Sequence, residues 1–297
     1  MARKKKRRIK KKVRNILASV LIALLLYWFI VPYIQSLKTK ELMQVENIKE
    51  EDTKKQLNYD DVSSLQYITT TMEERLESLK QQDERINKIL ENRKEYPLDL
   101  LDMLSKNIGM LDFVLDFPYQ KGKVENNKVE EAQKGIVPLL LQWDKRWGYA
   151  SYGDSYIAIN GCAPTALAMV LIGLTGKKDI TPYNIAKYAS ENGYYIDGSG
   201  TSWDLMTKGS EHFGIQGKVL TLSKSAIYQA LESGKFIICS MRKGDFTTTG
   251  HFIVLSGIQE GKIKVNDPNS VERSSILWEY ERIQGQIKNL WVFSLNF

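Results

Sequence analysis

The spacing of apolar positions changes several times along the chain, and each change marks a segment. Residues 16–34, ILASVLIALLLYWFIVPYI, carry no charge. Nineteen residues at about 1.5 Å rise span roughly 29 Å, the thickness of a bilayer's hydrocarbon, so the run predicts a transmembrane helix. Tyr27, Trp28 and Tyr33 sit toward its far end, where aromatic rings favour the membrane interface. Residues 35–58 are polar and weakly periodic, as in a membrane-proximal stalk. Val62, Leu65, Ile68, Met72, Leu76 and Leu79 then recur every three or four residues, the spacing of one helical stripe. Ile86, Ile89 and Leu90 carry it on to Glu95, where Tyr96-Pro97 interrupts. A second cluster, Leu98 to Leu104, Ile108, Leu111, Phe113, Val114 and Phe117, predicts one or two short helices. Residues 35–117 thus read as a coiled-coil stalk, with scope for self-association, or as a small helical subdomain.

Residues 118–136 are polar and glycine-containing, and predict a linker. Beyond them the character changes. Thr181-Pro182 opens a helix by a cap-then-proline signature, and Asn192-Gly193 closes it. Ser223 opens another that ends at Gly234. Phe236–Met241 and Phe252–Leu255 read as strands, and Gln259-Glu260-Gly261-Lys262 as a hairpin turn into Ile263-Lys264-Val265. Helices come first and strands later, so residues 137–297 predict an α+β domain.

Charge adds an orientation. The chain carries +7, but residues 3–14 contain ten Lys or Arg and no acid, which leaves −3 for the rest. The basicity is one terminal block beside an apolar run, and it does not resemble a nucleic-acid groove. Residues 1–15 are therefore expected to be a cytoplasmic tail, 16–34 a single-pass anchor, and everything after residue 35 extracytoplasmic. The apolar run is too long for a cleaved signal, and no A-x-A site follows it. Two cysteines are too few for a disulfide scaffold, and two histidines too few for a zinc site. Nothing in the sequence demands a metal or an organic cofactor.

That scarcity narrows the chemistry. Cys162 lies in Asn160-Gly161-Cys162-Ala163-Pro164-Thr165, ahead of the apolar run ALAMVLIGL. Gly161 permits a tight approach and Pro164 suits a first helical turn, so Cys162 is placed at a helix N-terminus, where free N–H groups favour a thiolate. Cys239 lies mid-strand and reads as core packing, although a Cys162–Cys239 disulfide is a structural alternative. His251 stands at the mouth of an apolar strand, and a hairpin would return Asp267 beside it. A carboxylate there holds an imidazole tautomer and stabilises the imidazolium. Asn266 offers the same position as a neutral orienter. His212 has no such neighbour and reads as a helix-end surface residue.

Gln142-Trp143-Asp144-Lys145-Arg146-Trp147-Gly148, GCAPT at 161–165, GTSW at 200–203, GHFIVL at 250–255 and VNDP at 265–268 occur in that order. Together they resemble the bacterial C39-like cysteine peptidases, a branch of the papain-like fold, over residues 137–297. The resemblance implies a membrane-anchored hydrolase of peptide or amide bonds, acting on a peptide or cell-wall-associated substrate. It implies Cys162 as nucleophile, His251 as base, Asp267 as orienter and Gln142 as oxyanion donor, with Asn160 a substitute for Gln142. Two features depart from the family pattern: alanine at 163, where glycine is usual, and the long separation of Gln142 from Cys162. No G-x-x-x-x-G-K-[ST] signature occurs, so transporters that carry such a domain are a poor analogy for the whole chain. A catalytically silent surface binding module on the same fold is the alternative.

Overall fold

The stripe that ends at Leu79 does not run unbroken to Glu95. Residues 71–79 are helical, and the chain then turns through 80–85. The Asp83 carboxylate accepts hydrogen bonds from the Arg85 backbone N–H and guanidinium, both at 3.0 Å. A short acidic side chain offers local backbone donors an alternative to the helix, and helix α1 (Ile86–Glu91) starts afresh after it. Tyr96 is extended ahead of Pro97, as proline requires, and α2 (Leu98–Lys106) and α3 (Leu111–Gln120) follow. The computed structural model describes residues 71–125 and 128–296. The expected tail, the transmembrane helix over 16–34 and the stalk of 35–58 lie outside the described residues, among which no helix is long and apolar enough to cross a membrane.

These three helices and the helical residues 71–79 pool their apolar faces in one cluster that includes Met72, Leu76, Ile89, Leu101, Val114 and Phe117. Tyr149 and Ala158, from the segment leading to Cys162, belong to the same cluster. Phe113 stacks on Tyr149 at 4.2 Å between ring centres and 6° between planes. Only a glycine allows this, because a Cβ at Gly148 would lie 2.7 Å from the Phe113 ring. Residues 72–120 are therefore a packed helical layer of the same folded unit. The expected linker of 118–136 begins inside α3, and its described remainder, residues 121–125 and 128–136, is held to that unit at points: Gly122 N–H donates to Tyr149 O at 2.7 Å, and the N–H of buried Val129 to Lys178 O at 2.8 Å.

The rest is built on one antiparallel sheet of β1 (Ile215–Val219), β2 (Phe236–Met241), β3 (His251–Gln259), β4 (Lys262–Asn266), β5 (Leu277–Trp278) and β6 (Ile287–Leu295), in the spatial order β1-β6-β2-β3-β4-β5. Alternate side chains feed two cores. Ile238, Val254 and Phe293 face helix α4 (Cys162–Thr175), which is apolar nearly all round and buried from Ala163 to Gly173. Helix α5 (Pro182–Glu191) covers α4. Ile237, Cys239, Ile253 and Leu255 face α6 (Lys224–Glu232) on the other side. Thr181 and Ser223 cap α5 and α6 through their hydroxyls, as expected. The turn from β3 to β4 has Glu260 and Gly261 at φ 55° and 73°, the two left-handed residues of a tight hairpin.

Candidate active site

Cys162 opens α4, and the preceding one-turn helix Ile157–Asn160 delivers it there. Gly161 forms the joint: its N–H donates to Ile157 O at 2.8 Å and its carbonyl accepts from Thr165 N–H at 3.0 Å. Its φ of −87° suits any residue, so the need for glycine is spatial. A Cβ there would sit 2.4 Å from Ile157 O and 2.6 Å from Ile157 Cγ2. Gly161→Ala is accordingly expected to cost about 1–3 kcal/mol and to displace the thiol; urea unfolding together with the rate of Cys162 alkylation checks both. Ala163 is buried and helical, so the methyl that departs from the family pattern is accommodated. Both cysteines are free thiols, Cys162 half-buried and Cys239 fully buried, so the disulfide alternative is not formed. Burial pushes the Cys239 thiol up, consistent with core packing.

His251 starts β3, paired with Met241, the last residue of β2. Its Nε2 lies 2.7 Å from Asp267 Oδ1, with side-chain exposures of 7% and 0%. Cys162 is close enough to the ring to favour its charged form, and with Nε2 taken by Asp267, Nδ1 is the nitrogen left to serve a thiol. Burial opposes a charge on this imidazole. The Asp267 carboxylate, its hydrogen bond and Cys162 together outweigh burial and hold the ring's pKa up at about 10. For Asp267 burial again opposes charge, and the cations of His251 and Arg273 override it, keeping the carboxyl below its usual range.

A bulge lies beside this pair. Leu255 pairs with Val265 but Gly257 with Lys264, so Ser256 is an extra residue in β3. The ladder ends at Val254–Asn266, and Asp267 leaves it to bridge to Ser270. Ser256 Oγ donates to Asn266 Oδ1 at 2.9 Å, and Asn266 Nδ2 donates to Val137 O and Pro138 O. Asn266 thus stitches β4 to the segment ahead of Gln142 and leaves the orienting position to Asp267.

Gln142 is buried beside the turn before Cys162, but its amide is turned inward. Nε2 donates to Ala158 O at 2.7 Å and to Ile159 O at 3.1 Å, and Oε1 is buried without a partner. Both hydrogens of the expected oxyanion donor are spent on carbonyls in this structure. Asn160 Nδ2 gives one hydrogen to Tyr195 OH at 3.0 Å. His212 is exposed and stacks on Tyr188, away from this chemistry.

Several contributors escaped the sequence reading. Arg273 Nε donates to Asp267 Oδ2 at 2.5 Å, and Asn269 N–H to Asp267 Oδ1 at 2.8 Å. The only hint was a cation six residues after the aspartate. Tyr152 is close enough to Cys162 for a thiolate to disfavour its ionisation, after the larger effect of burial. Its hydroxyl shares a 2.6 Å hydrogen bond with Thr201 Oγ1, which gives the GTSW motif a place at the site. Among the described residues no cluster of His, Cys, Asp and Glu is arranged to hold a metal ion. The arrangement is a thiol, an imidazole and a carboxylate in series, suited to nucleophilic attack on a carbonyl.

No curated protein matches the chain. Two solved structures are similar to it. The peptidase domain of Streptococcus ComA, a bi-functional ABC transporter involved in a quorum sensing pathway, is 19% identical, covering 46% of this chain and 93% of its own at a TM-score of 0.36. A structure described as a C39-like peptidase from Bacillus anthracis is 15% identical, covering 57% of this chain and 98% of its own at a TM-score of 0.37. Residues 136–293, more than half of the chain and all of the sheet except its last residues, match the Peptidase_C39 like family, and the protein belongs to it.

Proposed function

We propose that this protein is a cysteine peptidase-type hydrolase that cleaves a peptide or amide bond through a thioester, held on the outer face of a membrane by residues 16–34. The observation that carries the reading is the buried imidazole of His251, bonded through Nε2 to Asp267 and close enough to Cys162 for the thiol to favour its charged form. His251 Nδ1 takes the thiol proton, and the sulfur attacks the substrate carbonyl to give a tetrahedral oxyanion. The imidazolium passes its proton to the leaving amine as the C–N bond breaks, leaving a thioester. Water then attacks the thioester, giving its proton to His251, and the acid departs as the thiol is restored. Asp267 keeps the ring oriented throughout.

The backbone N–H of Cys162 and one side-chain amide bind the oxyanion. Gln142 reaches this role by giving up the longer of its two bonds, that to Ile159 O; Asn160 is its rival. Removing the true donor is expected to slow turnover by about 10²–10³. Comparing Gln142→Ala with Asn160→Ala assigns it. Anchoring by residues 16–34 rests on their length and on the ten flanking cations.

The deciding experiment is iodoacetamide labelling of the full-length chain from pH 4 to 9, read by mass spectrometry. Selective modification of Cys162 below pH 7, slowed in His251→Ala, is the expected result, with buried Cys239 as the internal control. Labelling of Cys162 that follows an ordinary thiol near about pH 8.5, indifferent to His251, would leave the fold as a binding module.

A further inference from the structure

Asp267 is steadied from a distant part of the chain as well as by its sequence neighbours. Asn269 donates its N–H to Asp267 Oδ1, the oxygen that holds His251 Nε2. The carbonyl of the same residue accepts two hydrogen bonds: from Asn107 Nδ2 at 2.8 Å and from Trp143 Nε1 at 3.2 Å. Asn107 lies in the helical layer, between α2 and α3, 162 residues away in sequence. Its amide is fixed at both ends, because Oδ1 accepts from Gly109 N–H at 3.2 Å. Gln142 N–H adds a bond to Pro268 O at 2.7 Å. Asn269's own Oδ1 is buried without a partner, so its backbone sets its position. The Gln142 bond to Pro268 O holds the peptide plane that carries the Asn269 N–H, and the bonds to Asn269 O hold the next plane, so residue 269 is clamped on both sides and the aim of its N–H is fixed.

We propose that Asn107 is a positioning residue of the active site, acting through Asn269 on Asp267 and so on His251, and that the helical layer is a working part of the centre. This rests on the catalytic reading of Cys162, His251 and Asp267. The layer also packs against Ala158 and Ile159, just ahead of the nucleophile. It therefore touches both sides of the candidate centre, the strand side through Asn107 and the helix side through this packing. A spacer between anchor and enzyme would need neither contact. A donor lost from a buried carboxylate network loosens both the carboxylate and the ring it holds.

The test uses the full-length chain and three variants. Asn107→Ala removes the donor and the Gly109 contact; Asn107→Asp keeps an acceptor for Gly109 N–H but sets oxygen against Asn269 O; Trp143→Phe removes the second donor. The readouts are the His251 titration by ¹³Cε1 NMR, the iodoacetamide rate at Cys162 at pH 7, and the Tm. With only two histidines in the chain, His212 serves as the reference resonance. Asn107→Ala and Asn107→Asp are expected to lower the His251 midpoint and slow alkylation by about five- to tenfold. Trp143→Phe is expected to do less, and Asn107→Ala with Trp143→Phe more than the product of the two, since each donor covers for the other. A lowered Tm with an unmoved His251 midpoint and an unmoved rate, in the variants that fold, overturns the proposal. If Cys162 in the unsubstituted chain shows no His251-dependent reactivity, the catalytic reading fails first and this inference falls with it.

Discussion

Asp267→Asn is expected to lower turnover by on the order of 10⁴ and to weaken the fold by about 3 kcal/mol. The first effect follows from the ring. Asp267 is the largest favourable influence on the imidazolium of His251, ahead of Cys162. With a neutral amide in its place, burial of the ring is opposed only by the thiolate, and the tautomer presenting Nδ1 to the thiol is no longer enforced. The second effect follows from Arg273. Its guanidinium, with side-chain exposure of 27%, loses a carboxylate that is itself fully buried. Breaking a buried pair from one side leaves an uncompensated charge, and the partial exposure of Arg273 keeps the loss at the low end. The His251 pKa is raised from 6.5 to about 10, so its contribution to stability is complete below pH 6.5 and is lost as pH rises through 10. The Asp267 pKa is lowered from 3.8, so its contribution is complete above that pH and lost as pH falls through the folded value. Urea unfolding at pH 6 and pH 9.5 should show a decline in the unsubstituted protein that largely vanishes in Asp267→Asn. An unchanged slope would mean that the pair does not couple to folding.

How far the sequence foretold this site depends on the kind of signal each residue carries. Cys162 was legible because its helix start is local: a glycine, a proline two residues on and an apolar run. The hairpin turn was legible for the same reason, as were the capped starts of α5 and α6. The pairing of His251 with Asp267 was expected from hairpin length alone, whereas the extra residue at Ser256 is one that no alternation of apolar residues displays. Gln142 carries the converse lesson. It was proposed for its side chain, but its side chain is bound inward, while its backbone and its neighbour Trp143 brace the Asp267 loop. Arg273 and Asn269 act through short-range hydrogen bonds in an irregular loop and Asn107 through a long-range one, and none of these leaves a periodicity to read. The helical layer was ambiguous between stalk and subdomain for a related reason. A stripe at helical spacing says that a face is buried, and only Phe113 against Tyr149 says what covers it.

Cys162→Ala is expected to abolish turnover, a loss on the order of 10⁶, while leaving the fold within about 1 kcal/mol of the original. The thiol is half-buried at a helix end and ties together no core, so its loss opens little space. No neighbour can replace it: Cys239, the chain's other cysteine, is buried in β2 on the sheet face away from α4. The variant also divides the two influences on His251. Removing the sulfur takes away its influence on the ring, so the midpoint should fall from about 10. The fall should be the smaller of the two, because the larger contributions of Asp267 persist. In Asp267→Asn it should fall further. ¹³Cε1 NMR of the two variants orders these contributions directly, and the reverse order would place the dominant charge on the sulfur. Because the cleft is otherwise intact, the inert variant retains whatever surface selects the substrate. Peptides or cell-wall fragments that survive incubation with Cys162→Ala, but are consumed by the unsubstituted chain, identify the bond that is cleaved. Equal consumption by both would remove Cys162 from the mechanism.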